Sequence, residues 1–102
     1  MKKSRISIPW KEGLHLRPAA TIVQCAKAFQ SSIRLRLNDS LADARSIFAI
    51  LILAAGCGAV IDIEVNGADE AEAHAALTAI FEVSDDGGME STGEFVEDNL
   101  KS

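Results

Sequence analysis

The residues best equipped for chemistry stand in one run, Gly13-Leu14-His15-Leu16-Arg17-Pro18-Ala19-Ala20. From Leu16 onward, Ala19, Ile22, Val23, Ala26 and Phe29 recur at helical spacing, which puts His15 immediately before a helix and Arg17 in its first turn. Pro18 fits there too, because its missing N–H would have had no partner in the first turn. The first N–H groups of a helix lack intrahelical acceptors, and together with the helix dipole they form a natural seat for an anion. The same dipole disfavours an imidazolium, so the expected His15 ring is neutral and offers a nitrogen lone pair to a phosphoryl group. Arg17 can then pair with the phosphate oxygens through its forked guanidinium. Gly13 allows a tight turn just ahead. By themselves these parts leave two readings open: a phosphate-handling histidine, or a histidine that only caps or borders a helix.

The elements that position this run follow from periodicity. Ile6 and Ile8 alternate with Arg5 and Ser7 as a first strand that Pro9 stops, and residues 10–13 read as a loop. After the first helix, Ile33, Leu35 and Leu37 alternate with Ser32, Arg34 and Arg36 as a second strand. Asn38, Asp39 and Ser40 turn the chain into a short third strand over 41–43. Ser46 is a good N-cap for an apolar helix over 47–53, with Gly56 expected as its C-terminal glycine. Ile61, Ile63 and Val65 alternate with Asp62 and Glu64 as a fourth strand. Asp69 and Glu72 resemble a capping box for a third helix, with Ala73, Ala76, Leu77, Ile80 and Phe81 on one face and His74 at its surface. The order βαββαβα predicts an α+β open-faced sandwich: a four-stranded, mostly antiparallel sheet with three helices on one face and Arg34, Arg36, Asp62 and Glu64 on the other.

Composition narrows the function. With 102 residues, 48% of them hydrophobic and 25% charged, the chain has enough apolar side chain for one core and no room for a second catalytic domain. The net charge of -5 argues against nucleic-acid binding. Nine basic and nine acidic residues cancel over 1–83, so the excess lies in residues 84–102, with six acidic residues and Lys101. Residues 1–84 are expected to form the domain and 85–102 an acidic, flexible tail, in which Phe95, Val96 and Leu100 could form a weak docking turn. Cys25, Cys57, His15 and His74 have no metal-ligand spacing, and the cysteines read as reduced side chains of a cytoplasmic protein. The charged start lacks the apolar run of an export signal, and the uncharged stretch 46–61 is short of the ~20 residues of a membrane span. A histidine-dependent hydrolase ranks last, because no second acid or base is expected beside His15.

The string Gly13 to Ala20 closely resembles the active-site signature of the histidine-containing phosphocarrier (HPr) family of the bacterial sugar phosphotransferase system. The resemblance extends over about residues 4–83, through the element order, the Ser46-Ile47-Phe48 segment, the Gly56 turn and the run Asn66-Gly67-Ala68-Asp69-Glu70. It implies a stoichiometric carrier that takes a phosphoryl group from enzyme I, itself charged by phosphoenolpyruvate, and passes it to sugar-specific acceptors of the enzyme IIA type. The acceptor position falls on His15 and the phosphate-pairing arginine on Arg17. No metal or cofactor is implied, and a monomer is expected. Ser46 falls on the regulatory position that an HPr kinase phosphorylates in bacteria that have one. Leu16, Ile47, Phe48 and Leu51 are the expected partner-docking residues, with Ile50 and Leu53 turned into the core. Gln24 and Ala49 depart from the family, many of whose members carry lysine there. Nitrogen-branch or purely regulatory relatives, and a ligand-binding regulatory domain without phosphotransfer, are the alternative functions.

Overall fold

The computed structural model describes residues 1–82; the expected acidic tail, with Phe95, Val96 and Leu100, lies outside the described residues. The elements are β1 (Lys2–Ser7), α1 (Leu16–Lys27), β2 (Ser32–Leu37), β3 (Ser40–Asp43), α2 (Ile47–Leu53), β4 (Val60–Asn66) and α3 (Glu70–Ile80). The strands form one sheet in the order β1-β4-β2-β3, antiparallel at every pairing. The open-faced α+β sandwich expected from periodicity is therefore the fold, and the order of its strands is supplied by tertiary pairing.

The period-two pattern sorts the two faces of the sheet. Ile33, Leu35, Ile61, Ile63 and Val65 are buried on the inner face, where they meet Ala19, Ile22 and Ala26 of α1, Ile50 of α2 and Ala73 and Leu77 of α3. On the outer face, register places Arg5 opposite Asp62 and Asp62 opposite Arg36, with Lys3, Glu64, Arg34 and Asp43 aligned in the next row. Arg5 Nε donates to Asp62 Oδ1 and Arg36 Nε to Glu64 Oε2, each at 3.0 Å. The Arg5 hydrogen bond holds the Asp62 carboxyl below the usual carboxylate range. Pairs at a sheet surface add little stability, but a one-residue slip of β4 would drive two carboxylates into the core, so the charged face fixes register.

The turn from α1 into β2 is clamped from two sides. Asp69 accepts hydrogen bonds from the Gln30 N–H, the Ser31 N–H and the Ser31 hydroxyl. Arg45 donates through Nη2 to the Phe29 and Ser31 carbonyls. Gly67 closes over the same serine: with φ at +153°, a Cβ placed on it would lie 2.6 Å from Ser31 Oγ. The expected capping box is thus corrected, since the Asp69 carboxylate serves a distant loop rather than its own helix. Glu70 Oε1 instead accepts the Gly67 N–H at 3.1 Å.

Two further expectations change. His74 is half-buried, and its Nε2 lies 2.9 Å from Ser4 Oγ, so it ties α3 to β1 instead of standing free on the surface. Trp10, in the loop after β1, is buried against Phe81 with ring centroids 5.1 Å apart. That contact joins the end of the described chain to the loop leading to His15.

Two measurements check the clamp. Gly67→Ala should lose about 2 kcal/mol or more in urea unfolding, because the new methyl meets backbone and side chain of a buried serine. The Asp69 hydrogen bonds, foremost that from Ser31, hold its pKa below the ordinary 3.8. Their stabilisation is complete above that value and is lost as pH falls through the lower, folded value. The melting temperature, followed by circular dichroism, should therefore drop below about pH 3.8. Asp69→Asn should melt lower at pH 7 and lose less on acidification.

Candidate functional site at the start of the first helix

Sequence makes α1 start where it does. Leu14 is buried in the core, His15 has an extended backbone (φ -101°, ψ -168°), and Ala19 N donates to His15 O at 3.0 Å to close the first helical turn. Pro18 and Ala19 are buried behind it. Since Pro18 has no N–H, the first turn presents only the Leu16 and Arg17 amides to an incoming anion.

Gly13 sets the approach to the histidine. Its φ is +77°, and a Cβ there would lie 2.6 Å from the Ala55 carbonyl and 2.9 Å from Gly56 Cα. The Leu14 N–H donates to that same Ala55 carbonyl at 2.8 Å. A side chain at 13 would need both a strained backbone and the retreat of the 55–56 turn. The expected role of Gly13 in a tight turn therefore holds, with a close backbone contact added that no periodicity discloses.

His15 occupies the N-cap position without capping. Its Nδ1 donates to the Gly13 carbonyl at 2.8 Å, so in this tautomer the ring proton is on Nδ1 and the lone pair on Nε2. The side chain is 33% exposed, enough for a partner to reach the ring. Nε2 stands 3.7 Å from Glu12 Oε1, which corrects the expectation that no second acid lies near His15. The Glu12 carboxylate thus sets a negative charge on the side of the ring that faces away from Gly13.

Arg17 is exposed in the first turn, and among the described residues it makes no ion pair. Its carbonyl accepts the Thr21 hydroxyl at 3.2 Å. The histidine, the two amides and an unengaged guanidinium thus lie within one helical turn, able to surround a phosphate on the ring.

The second helix lies alongside. Ser46 caps α2 as expected, its Oγ accepting the Ala49 N–H at 3.2 Å from an extended backbone. The helix does not end at Gly56: Ala54 adopts the left-handed conformation at φ +54° and terminates it two residues earlier. Gly56 is left to lie against Gly13. Phe48 is 74% and Leu16 61% exposed, and Ile50 and Leu53 are buried, as expected of these four side chains. Ile47 and Leu51, expected in the exposed patch, are instead half-buried against the core, and Ile52, which was not expected there, is the most exposed of the group at 79%. Its signal was in the spacing, because Ile52 follows Phe48 by four residues and so shares its face, whereas Ile47 and Leu51 form the neighbouring stripe.

Gln24 is exposed, while Ala49 is half-buried with its N–H taken by Ser46. Both cysteines are free; burial pushes the Cys25 thiol up, and Cys57 is exposed in its turn. Among the described residues no cluster of His, Cys, Asp or Glu is arranged to hold a metal ion, and no helix is long and apolar enough to cross a membrane.

The family model described as PTS HPr component phosphorylation site matches residues 2–83. Phosphocarrier protein HPr of Neisseria meningitidis is 45% identical over 78 residues, covering 76% of this chain and 88% of that protein. Phosphocarrier protein NPr of Proteus mirabilis is 40% identical over 79 residues, covering 76% and 88%. Among solved structures, HPr-C-His from Thermoanaerobacter tengcongensis aligns with a TM-score of 0.77 at 40% identity, covering 80% of this chain and 92% of that one. A family match over nearly all of the described residues, with relatives of this identity, makes the chain a member of the HPr family of phosphotransferase-system phosphocarrier proteins.

Proposed function

We propose that the chain is a cytoplasmic, monomeric carrier that accepts a phosphoryl group on His15 from phosphorylated enzyme I and hands it to sugar-specific acceptors of the enzyme IIA type. The observation that supports it is the coincidence of an accessible ring, the two free amides of the helix start and an unengaged Arg17 within one turn. In the transfer, a lone pair on the His15 ring forms the new N–P bond while the donor's N–P bond breaks and returns its pair to the donor nitrogen. The other ring nitrogen keeps its proton. In the resting geometry that proton is on Nδ1, held by Gly13; attack through Nδ1 requires the ring to leave this bond, whereas attack through Nε2 does not.

Arg17 and the Leu16 and Arg17 amides then stabilise the phosphoryl oxygens, and Glu12 opposes them. That balance suits a carrier, which must hold the group well enough to diffuse and loosely enough to pass it on. Leu16, Phe48 and Ile52 supply the apolar contact with both partners, flanked by Ile47 and Leu51. Ser46 serves as a regulatory phosphorylation site for a kinase of the HPr kinase type. A phosphate at this N-cap is favoured by the helix dipole and acts chiefly by repelling an acidic partner. A nitrogen-branch role is the second reading. It is favoured by the NPr relative and by the absence of lysine at 24 and 49, and uptake from sugar-branch against nitrogen-branch enzyme I separates the two.

Four variants test the assignment in an assay of acid-labile label from phosphoenolpyruvate, magnesium and enzyme I. His15→Ala should fold and accept nothing; label of the same lability on that variant would refute the site. Arg17→Ala should move stability by less than ~0.5 kcal/mol and slow transfer about tenfold or more, since its partner is the phosphate rather than the fold. Unchanged transfer would remove its role. Ser46→Asp should keep its fold and take up label more slowly, most clearly at low salt, while Ser46→Ala should lose about 1 kcal/mol of stability and transfer normally. Equal uptake by Ser46→Asp and the parent would leave Ser46 as a helix cap alone.

A further inference from the structure

Both nitrogens of the His15 ring face oxygen acceptors. Nδ1 lies 2.8 Å from the Gly13 carbonyl, and Nε2 stands 3.7 Å from Glu12 Oε1. A neutral imidazole has a single N–H, so it serves only one of the two at a time. The acceptors are unequal. The Gly13 carbonyl also receives the His15 backbone N–H at 2.9 Å, and it keeps that bond when the ring proton leaves it. Glu12 is a carboxylate, and a hydrogen bond to an ionised acceptor is roughly twice as strong as one between neutral groups.

Main chain holds Glu12 where it can compete for that proton. The Gly13 N–H donates to the Trp10 carbonyl at 2.8 Å and closes the turn over 10–13. Trp10 is buried against Phe81, and Gly13, at φ +77°, lies against the 55–56 turn. Only the Glu12 side chain is left to swing, and an approach of about 1 Å brings Oε1 within hydrogen-bond range of Nε2. Its charge is not taken up elsewhere: among the described residues its one ion-pair contact is with the ring, and Arg17 makes none.

Resting on the reading of His15 as the phosphoryl acceptor, we propose that Glu12 is a positioning residue for the transfer: its carboxylate takes the ring proton on Nε2 and so leaves the lone pair on Nδ1, which forms the N–P bond. The ring turns Nδ1 out of the Gly13 contact to meet the donor. As the Nδ1 lone pair bonds to phosphorus, the donor's N–P bond breaks and returns its pair to the donor nitrogen. The proton stays on Nε2, so the ring gains a positive charge, and that charge develops beside Glu12. A phosphoryl group on Nε2 would instead press its oxygens against the carboxylate, and the like charges oppose that product. Fixing the tautomer of a reacting histidine is also what the carboxylate of a hydrolytic triad does.

The experiment compares the full chain with full-length Glu12→Gln, which keeps the shape of the side chain and removes its charge. Histidine ring nitrogens are isotopically labelled, and their chemical shifts, assigned with His15→Ala, are read at about pH 9, above the ordinary histidine range. The ratio of Nε2–H to Nδ1–H in His15 should fall about threefold in Glu12→Gln, the size expected of one exposed charge pair. Uptake from saturating phosphorylated enzyme I should slow by a similar factor with KM unchanged, and the parent should carry the group on Nδ1. An unchanged proton ratio would overturn the proposal. So would a parent phosphorylated on Nε2, or a loss confined to KM, which makes Glu12 a partner contact. Because the proton ratio is read without any partner, a parent that takes up no label defeats the phosphocarrier reading, while the ratio still decides whether Glu12 holds the ring.

Discussion

The site depends on one close approach of two backbones. Gly13 lies against the 55–56 turn at a distance that leaves no room for a Cβ, and the Leu14 N–H bonds to the Ala55 carbonyl. This contact fixes where α1 begins and faces the Gly13 carbonyl toward the His15 ring. Because α2 ends at Ala54, just before the same turn, the contact also sets the two helices side by side. The His15 ring, on which the proposed phosphotransfer rests, is therefore oriented by main chain, which moves little as side chains are exchanged.

The sheet and the loop clamp supply the rigidity that this approach needs. β4, at the centre with β2, carries buried aliphatics on one face and paired carboxylates on the other, so its register is doubly specified. Behind it, Asp69 and Arg45 gather the carbonyls and amides at the end of α1, where irregular backbone would otherwise leave polar groups beside the buried Ser31. The C-terminal end of α1 is held by charged groups and its N-terminal end by glycine packing. Leu16 and Arg17, in the first turn of α1, are left exposed between these two anchors.

That division suits a protein whose chemistry is completed by others. A histidine with two amides and one arginine can seat a phosphate, and in the proposed function the donor and the acceptor proteins bring the rest. The exposed Leu16, Phe48 and Ile52 form a small apolar surface, of the kind that permits rapid release.

By itself the sequence determined the element order, the inner and outer faces of β2 and β4, the start of α1 at His15 and the cap at Ser46, because all of these rest on local periodicity and on the hydrogen-bonding habits of single residue types. It also carried the family, in the run from Gly13 to Ala20. The tertiary structure alone decided the strand order β1-β4-β2-β3, the use of Asp69 by a loop 38 residues away, the tie from His74 to Ser4, and the nearness of Glu12 to the ring. It likewise chose Ile52 over Ile47 and Leu51 as the residue of α2 exposed beside Phe48. These share one physical reason: each is set by which surfaces meet when the helices pack on the sheet, and a helix that is apolar on every side, as α2 is, has no polar face in its sequence to say which side is left outside.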